Sequence, residues 1–362
     1  MTISTKGIAV ARAPQIVTTT ATPKRAHSVR VGVAELERLI QIALLRAGLA
    51  EDHVASVAHS VAVCERDGVK SHGLLRLPAF VYSLGTGWAD GRSRPQLVRE
   101  TESLLAFDAC NGFAQVALAS ARARLMDKVR RTGVALLLTG NSHHYSALWP
   151  DIEPFAANGL VALSCVNSKK RMAAWSGGRP VTGTNAIAFA APRPGSDPMV
   201  WDQSSSVMSQ GDVLLAAEQG RDLPTGVGCD SSGRPTTSAA AILDGGALLP
   251  FGGPKGASLA VMVEVLAAAL TGGPFGFEDR SPNGAATTSL GGQFLLIIDP
   301  RHSTSRFQDR MVALCTALID AGAERLPGDR RYHARRRALS VGIELDAKAH
   351  AMLLDLAGPA GG

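Results

Sequence analysis

Gly226-Val227-Gly228-Cys229-Asp230-Ser231 opens like a dinucleotide-binding glycine loop and then departs from it. The G-x-G-x-x-G fingerprint needs its third glycine where Ser231 stands, so that a following helix can pack closely on its strand. No other stretch of the chain supplies the pattern. A Rossmann crevice is therefore not expected, and any bound dinucleotide needs another architecture.

Outward from that point, strands and helices mix along the whole chain without an internal repeat. Leu36, Leu39, Ile40, Ala43 and Leu44 recur at helical spacing over 33–47, with Gly48 as a stop. A second helix is predicted over 51–66, running out at Asp67-Gly68, and the polar loop Lys70-Ser71-His72-Gly73 comes next. Asn111 reads as the N-cap of a helix ending near Gly133, followed by a strand over 134–139 and a polar loop over 140–144. Further on come a helix near 151–157 and strands at 160–166 and 186–191. A long apolar helix over 255–270, a buried strand at 294–298 and a helix at 307–321 complete the pass.

At 362 residues the chain suits two lobes. Its hydrophobic share of 46% and charged share of 19% are those of a globular protein with a sizeable core. A net charge of +6 suits an anionic ligand such as a dinucleotide. Nucleic acid is disfavoured, because no basic stripe is interleaved with the three Tyr and four Trp. Six arginines crowd residues 325–337 and read as a solvated helix face or a cofactor phosphate contact. The five cysteines are scattered, without metal-ligand spacing, which points to reduced thiols in a cytoplasm. No apolar run reaches the ~18–20 residues of a membrane span, because Glu264 interrupts the longest. Residues 1–28 read as a disordered tail.

Four segments carry polar residues where chemistry is done. Ser71-His72-Gly73 with Arg76 pairs a hydroxyl with an imidazole, near a guanidinium whose planar fork holds a carboxylate. Alone, the pattern also reads as a helix cap. Gly140-Asn141-Ser142-His143-His144 offers backbone N–H groups to a phosphate or nicotinamide, or is an ordinary turn. Its adjacent histidines diverge, so no shared metal is expected. Gly183-Thr184-Asn185, with Asp202-Gln203-Ser204 and Gly211-Asp212, forms the third, and its polar residues after strands read either as loop chemistry or as a ligand site. Lys255-Gly256, opening an apolar helix, puts a cation and free N–H groups at a positive helix end, or is helix-start punctuation without a ligand.

Taken in order, Ser71-His72-Gly73…Arg76-Leu77-Pro78, Asn141-Ser142-His143-His144, Gly183-Thr184-Asn185 and Lys255-Gly256 resemble the type 2 malate/L-lactate dehydrogenase family over about residues 33–350. Asp202-Gln203-Ser204-Ser205, residues 249–253 and residues 325–332 are most similar to its Δ1-piperideine-2-carboxylate/Δ1-pyrroline-2-carboxylate reductase branch.

The resemblance implies a mixed α/β (α+β), non-Rossmann fold with a largely antiparallel sheet in the cofactor domain. It implies a helical part of a substrate and dimer lobe over 29–110, a cofactor lobe over 111–280 and a returning C-terminal segment over 281–362. It implies NADPH, with NADH as second candidate, reducing a cyclic 2-imino acid in a cytoplasmic homodimer, without metal, membrane or nucleic acid. His72 would be the proton donor, with Ser71 and Asp212 as relay partners, and Arg76 and Thr184 would touch substrate. Gly140 to His144, Asp202, Gln203, Ser204, Lys255, Gly256, Gly328, Asp329, Arg330 and Arg331 would line the cofactor.

Four departures from the family pattern stand out, one of them Asp212, an acid in a segment where the wider family does not generally have one. Phe80 replaces a tyrosine common in the pocket wall, Pro254 replaces a histidine before Lys-Gly, and Tyr145-Ser146 replaces Phe-Gly beside His144. Two other readings follow from the same residues. One is a 2-hydroxy acid dehydrogenase of malate, lactate, ureidoglycolate or sulfolactate type, with a 2-oxo acid as partner. The other is a catalytically silent dinucleotide-binding homologue.

Overall fold

The computed structural model describes residues 28–175, 178–282 and 287–359. In chain order, β1 (Ser28–Val31) leads to α1 (Val33–Arg46), α2 (Glu51–Arg66) and α3 (Leu77–Gly85). Then come β2 (Gln96–Glu100), β3 (Leu104–Phe113), α4 (Ala114–Thr132), β4 (Val134–His143), α5 (Trp149–Ala157) and β5 (Val161–Val166). β6 (Met172–Ala173), β7 (Pro180–Thr182), β8 (Ala186–Ala191), β9 (Met199–Gln203) and α6 (Gln210–Glu218) follow. β10 (Gly228–Cys229), β11 (Pro235–Thr236), α7 (Ala239–Leu243), β12 (Ala247–Leu248) and α8 (Pro254–Val263) come next. β13 (Leu290–Ile298), α9 (Phe307–Asp320), α10 (Asp329–Val341), β14 (Ile343–Asp346) and α11 (Ala347–Ala357) close the chain.

The main sheet has the order β2-β3-β4-β13-β5-β8-β9. Every neighbouring pair in it is antiparallel except β3 with β4. This is the mixed, largely antiparallel α/β architecture expected, and it has no Rossmann strand order. Gly226-Val227-Gly228 enters the short strand β10 of a separate five-stranded sheet, away from any helix start.

Two large apolar cores stand out among the buried clusters of the described residues. Leu36, Ile40, Leu44, Val57 and Val61 pack with Leu345 and Leu353, so the C-terminal helix closes on the N-terminal ones. Leu105, Leu125, Leu137, Ile152, Leu295 and Ile297 fill the space beneath the main sheet. Their burial removes apolar surface from water at roughly 25 cal/mol per Å².

Several sequence expectations need correction. Asn111 does not cap a helix; it stands in β3 with φ of 63°, in the register shift between Asp108 and Gly112. Gly140–His143 is not a loop but the end of β4, where Gly140 pairs with β3 and Ser142 and His143 pair with both β3 and β13. The apolar helix passes into a π-helical turn over Glu264–Ala269. The divisions expected at 110/111 and 280/281 both cut the main sheet, because β2, β3 and the central β13 belong to it. Residues 1–27 of the expected tail lie outside the described residues. Ser28 does not belong to a tail, since it opens β1 opposite Asp346.

Candidate active site

A cleft of about 820 Å³ runs between the 68–76 turns, the end of β9, the start of α6 and Arg330-Arg331. At its inner end, sharing His72, Arg76, Thr184 and Gln210, lies a chamber of about 80 Å³. The larger volume is within the ~300–1,000 Å³ of ordinary ligand clefts.

The catalytic turn is shaped by a glycine and a buried acid. Gly68, in the left-handed region at φ 76°, ends α2, and two 3₁₀ turns over Lys70–His72 and Leu74–Arg76 follow. Glu65, buried in α2, accepts the Leu74 N–H at 2.9 Å. Its carboxylate lies where a side chain at Gly73 would have to go, so only glycine fits after His72. Arg76 is 5% exposed; its Nε donates to the Ser71 carbonyl at 2.8 Å, and its guanidinium sits 4.5 Å from the Tyr145 ring centroid. That leaves the outer nitrogens of the fork for a carboxylate.

His72 Nδ1 lies 3.2 Å from Ser71 Oγ. Burial, then the charge of Arg76, then His144 push its pKa down to about 3. The imidazole is therefore neutral in the free protein. The relay expected from Asp212 is not formed: Asp212 borders the cleft, but its exposed carboxylate accepts the Ser209 hydroxyl at 2.8 Å, at the start of α6. Among the described residues no carboxylate raises the His72 pKa.

Of the 140–144 segment, only His144 lines the chamber. A side chain at Gly140 would meet the Thr271 carbonyl, and Asn141 donates to Asp108 at 3.0 Å. Ser142 donates to the Gly291 carbonyl at 3.3 Å. His143 is wholly buried between Asn111 (3.0 Å) and Thr288 (2.8 Å), its pKa lowered to about 4 by burial. These four are structural members of the sheet rather than lining. His144 Nε2 lies 3.0 Å from Asp151, while its buried Nδ1 has no hydrogen-bond partner.

Asp202, Gln203, Ser204, Arg330 and Arg331 line the cleft. Asp202 is already engaged, accepting the Leu148 and Trp149 N–H groups (2.7 and 3.1 Å) at the start of α5. Burial nevertheless raises its pKa. Arg331 stacks 5.1 Å from the Trp149 ring centroid and donates to the Val200 carbonyl at 2.8 Å. Gly328, Asp329, Lys255 and Gly256 stand outside the lining. Gly328 packs on Val200, and Asp329 pairs with Arg193 at 2.9 Å. Lys255 is exposed, and Gly256 lets α8 close on the Ser205 and Phe251 carbonyls. Phe80, expected in the pocket wall, is one layer behind it, packed edge-on against Tyr145.

Two cations of the chamber escaped the sequence reading, Lys169 and Arg171. Lys169 Nζ donates to Thr287 O and Oγ1 and to Ser281 Oγ at 3.0–3.2 Å, and burial lowers its pKa to about 8. Arg171 Nε is buried without a hydrogen-bond partner. The legible signal was the basic run Lys169-Lys170-Arg171 directly after a strand, where ligands gather in sheet proteins. Among the described residues no cluster of metal-ligating side chains occurs, and no helix is long and apolar enough to cross a membrane.

Comparison with known proteins agrees with this geometry. The malate/L-lactate dehydrogenase family model matches residues 31–354. A Delta(1)-pyrroline-2-carboxylate/Delta(1)-piperideine-2-carboxylate reductase of Pseudomonas syringae pv. tomato is 49% identical over 304 residues, 83% of this chain and 89% of that protein. A (2R)-3-sulfolactate dehydrogenase (NADP(+)) of Chromohalobacter salexigens is 39% identical, over 87% of this chain and 94% of its own. The crystal structure of delta1-piperideine-2-carboxylate reductase from Pseudomonas syringae pv. tomato superposes with a TM-score of 0.87 at 46% identity, covering 91% of this chain and 99% of that one.

Proposed function

The chain belongs to the malate/L-lactate dehydrogenase family of oxidoreductases, and we propose that it reduces cyclic 2-imino acids, Δ1-piperideine-2-carboxylate or Δ1-pyrroline-2-carboxylate, to the cyclic L-amino acids. The observation that carries this reading is a chamber ringed by Arg76, Lys169 and Arg171 beside a histidine that is neutral in the free protein. Cations suit the carboxylate. A neutral His72 suits a substrate whose basic nitrogen arrives with its own proton.

The cleft fits a dinucleotide. Arg330 and Arg331 offer charge to its phosphates, and Gln210 Nε2 and Trp149 Nε1, on the cleft wall, are buried donors without protein partners. Bound there, reduced nicotinamide supplies a hydride to C2 of the substrate. NADPH is favoured over NADH by these arginines and by the NADP(+) named for the sulfolactate relative.

The protein's own part is to hold and to polarise. Arg76, fixed by the Ser71 carbonyl and the Tyr145 ring, presents its fork to the carboxylate, with Thr184 lining the same chamber. That anion offsets the charge of Arg76, which after burial is the next cause of the low His72 pKa, so substrate binding shifts His72 toward its proton-donating form. Asp202, Gln203 and Ser204 wall the cofactor side. Asp212 borders the same cleft as a polar group near His72 rather than its partner. Holding the reacting carbon in position supplies most of the rate, since the hydride chemistry belongs to the cofactor.

A second reading, a 2-hydroxy acid dehydrogenase, is favoured by Lys169 and Arg171, which suit a substrate with a second anionic group. A homodimer is supported by exposed apolar side chains on two helical segments, among them Val261, Val265 and Leu270, and Val312, Leu314 and Ile319. Five unbridged cysteines support a cytoplasmic setting. The deciding experiment is a substrate panel with both cofactors, comparing the two cyclic imines with pyruvate and oxaloacetate. Comparable kcat/KM for imine and ketone would replace this reading with the second.

A further inference from the structure

Glu264 is the acid that interrupts the longest apolar run of the sequence, and no step above uses it. It opens the π-helical turn after α8 and is 7% exposed. A buried carboxylate is retained only where hydrogen bonds satisfy it, and π-turns recur near functional sites. Glu264 is well satisfied. Oε1 accepts from Asn185 Nδ2 at 2.9 Å; Oε2 accepts from the Gly276 N–H at 3.1 Å and Asn167 Nδ2 at 3.3 Å.

Those donors sit on three separate segments, and each leads into the chamber. Asn167 precedes Ser168, Lys169 and Arg171. Asn185 follows Thr184 and holds φ of 35°, a strained conformation for a residue with a side chain. Gly276 begins the stretch that reaches Ser281, an acceptor of the Lys169 ammonium. The two amides extend the ties: Asn185 Oδ1 accepts the Ser168 N–H at 3.2 Å, and Asn167 Oδ1 accepts the Gly292 N–H at 2.9 Å. The approach is close enough that a Cβ at Gly276 would lie 2.7 Å from the Ser168 carbonyl oxygen and 2.9 Å from Glu264 Oε1.

We propose that Glu264 is the positioning residue of the substrate chamber, its one carboxylate fixing the wall that carries Lys169 and Arg171 against the wall that carries Thr184. The proposal rests on the reading that this chamber holds the carboxylate end of a 2-imino or 2-oxo acid. An amide cannot replace the acid here, because the donors of Asn185, Asn167, Gly276 and Gly183 converge on its two oxygens and a glutamine turns one of them into a donor.

The test is Glu264→Gln in the full chain, with Glu264→Asp beside it. KM for the acid substrate rises at least tenfold in Glu264→Gln, while the Kd of NADPH stays within twofold. Glu264→Asp keeps the acceptor and recovers part of the loss. Hydrogen exchange in peptides covering 167–171, 183–186 and 274–281 quickens together in Glu264→Gln, with or without turnover. If Glu264→Gln does not accumulate as folded protein, Asn167→Ala removes a single donor and raises KM threefold or more. An unchanged KM in a folded variant, or an equal weakening of acid and dinucleotide, overturns the proposal. If the wild type reduces no 2-imino or 2-oxo acid, the reaction assigned above fails, and the exchange measurement alone decides the role of Glu264.

Discussion

His144 Nε2 lies 3.0 Å from Asp151 Oδ2, and both side chains are buried at the edge of the substrate chamber. The carboxylate fixes the ring orientation and leaves Nδ1 as the nitrogen without a protein partner. Asp151 also accepts from Gln293 Nε2 at 2.8 Å, so it cannot swing away. Asp151→Asn therefore lowers kcat/KM by roughly tenfold or more through a misoriented His144, with dinucleotide affinity unchanged. Steady-state kinetics beside a dinucleotide titration check this, and an unaltered kcat/KM excludes any part for the pair.

Removal of His72 separates the two substrate classes. His72→Ala lowers kcat for a ketone by about 10²–10⁴, because the alkoxide then lacks its proton source. The loss is smaller for a cyclic imine, whose nitrogen brings a proton. Equal losses for pyruvate and Δ1-piperideine-2-carboxylate would show that the imine gains nothing from its basicity.

Arg76→Lys keeps the charge and loses the planar fork stacked on Tyr145. The expected fall in kcat/KM for the acid is about 10–200-fold. An effect confined to dinucleotide affinity would place Arg76 against the cofactor instead.

Lys169 sets an alkaline limit. Burial holds its pKa at about 8, so its charge is lost as pH rises through that value. A carboxylate binds the charged form, and its affinity then falls about tenfold per pH unit above the pKa. The Kd of pyruvate, which does not titrate in this range, should weaken above pH 8 in the wild type. In Lys169→Met it should be weaker throughout and lose that weakening above pH 8.

Arg335 holds α10 to the end of α2 and to α5. It donates to Asp67 at 2.7 Å and Glu153 at 2.6 Å, the Asp67 side chain being fully buried. Arg335→Met leaves Asp67 with Arg66 alone and costs about 3 kcal/mol, the scale of breaking a buried ion pair. Chemical denaturation measures it, and a loss below ~1 kcal/mol would class the cluster with surface pairs.

Local order was legible wherever one periodicity dominated. The helices over 33–46 and 51–66 and the strands at 161–166 and 186–191 stand where apolar spacing puts them, because one face of each meets a core. The missing third glycine at Ser231 removed the Rossmann fold from sequence alone. Ordered motifs around Ser71, His72, Arg76 and Thr184 pointed to residues that do meet around one cleft.

What the sequence did not determine was which polar residues face that cleft. Asn141, Ser142 and His143 have the polarity of a ligand loop, yet β4 carries them into the sheet, where β3 and β13 pair with Ser142 and His143. Lys169 comes to His72 only because β5 runs beside β13 in the sheet and delivers its basic run to the chamber. Glu264 appeared in the sequence as a mere interruption, and its donors come from positions 79 to 97 residues earlier and 12 residues later. Periodicity reports the direction a side chain takes from its own element. The partner it meets depends on long-range strand order and close backbone approach, and those exist only once the chain has folded.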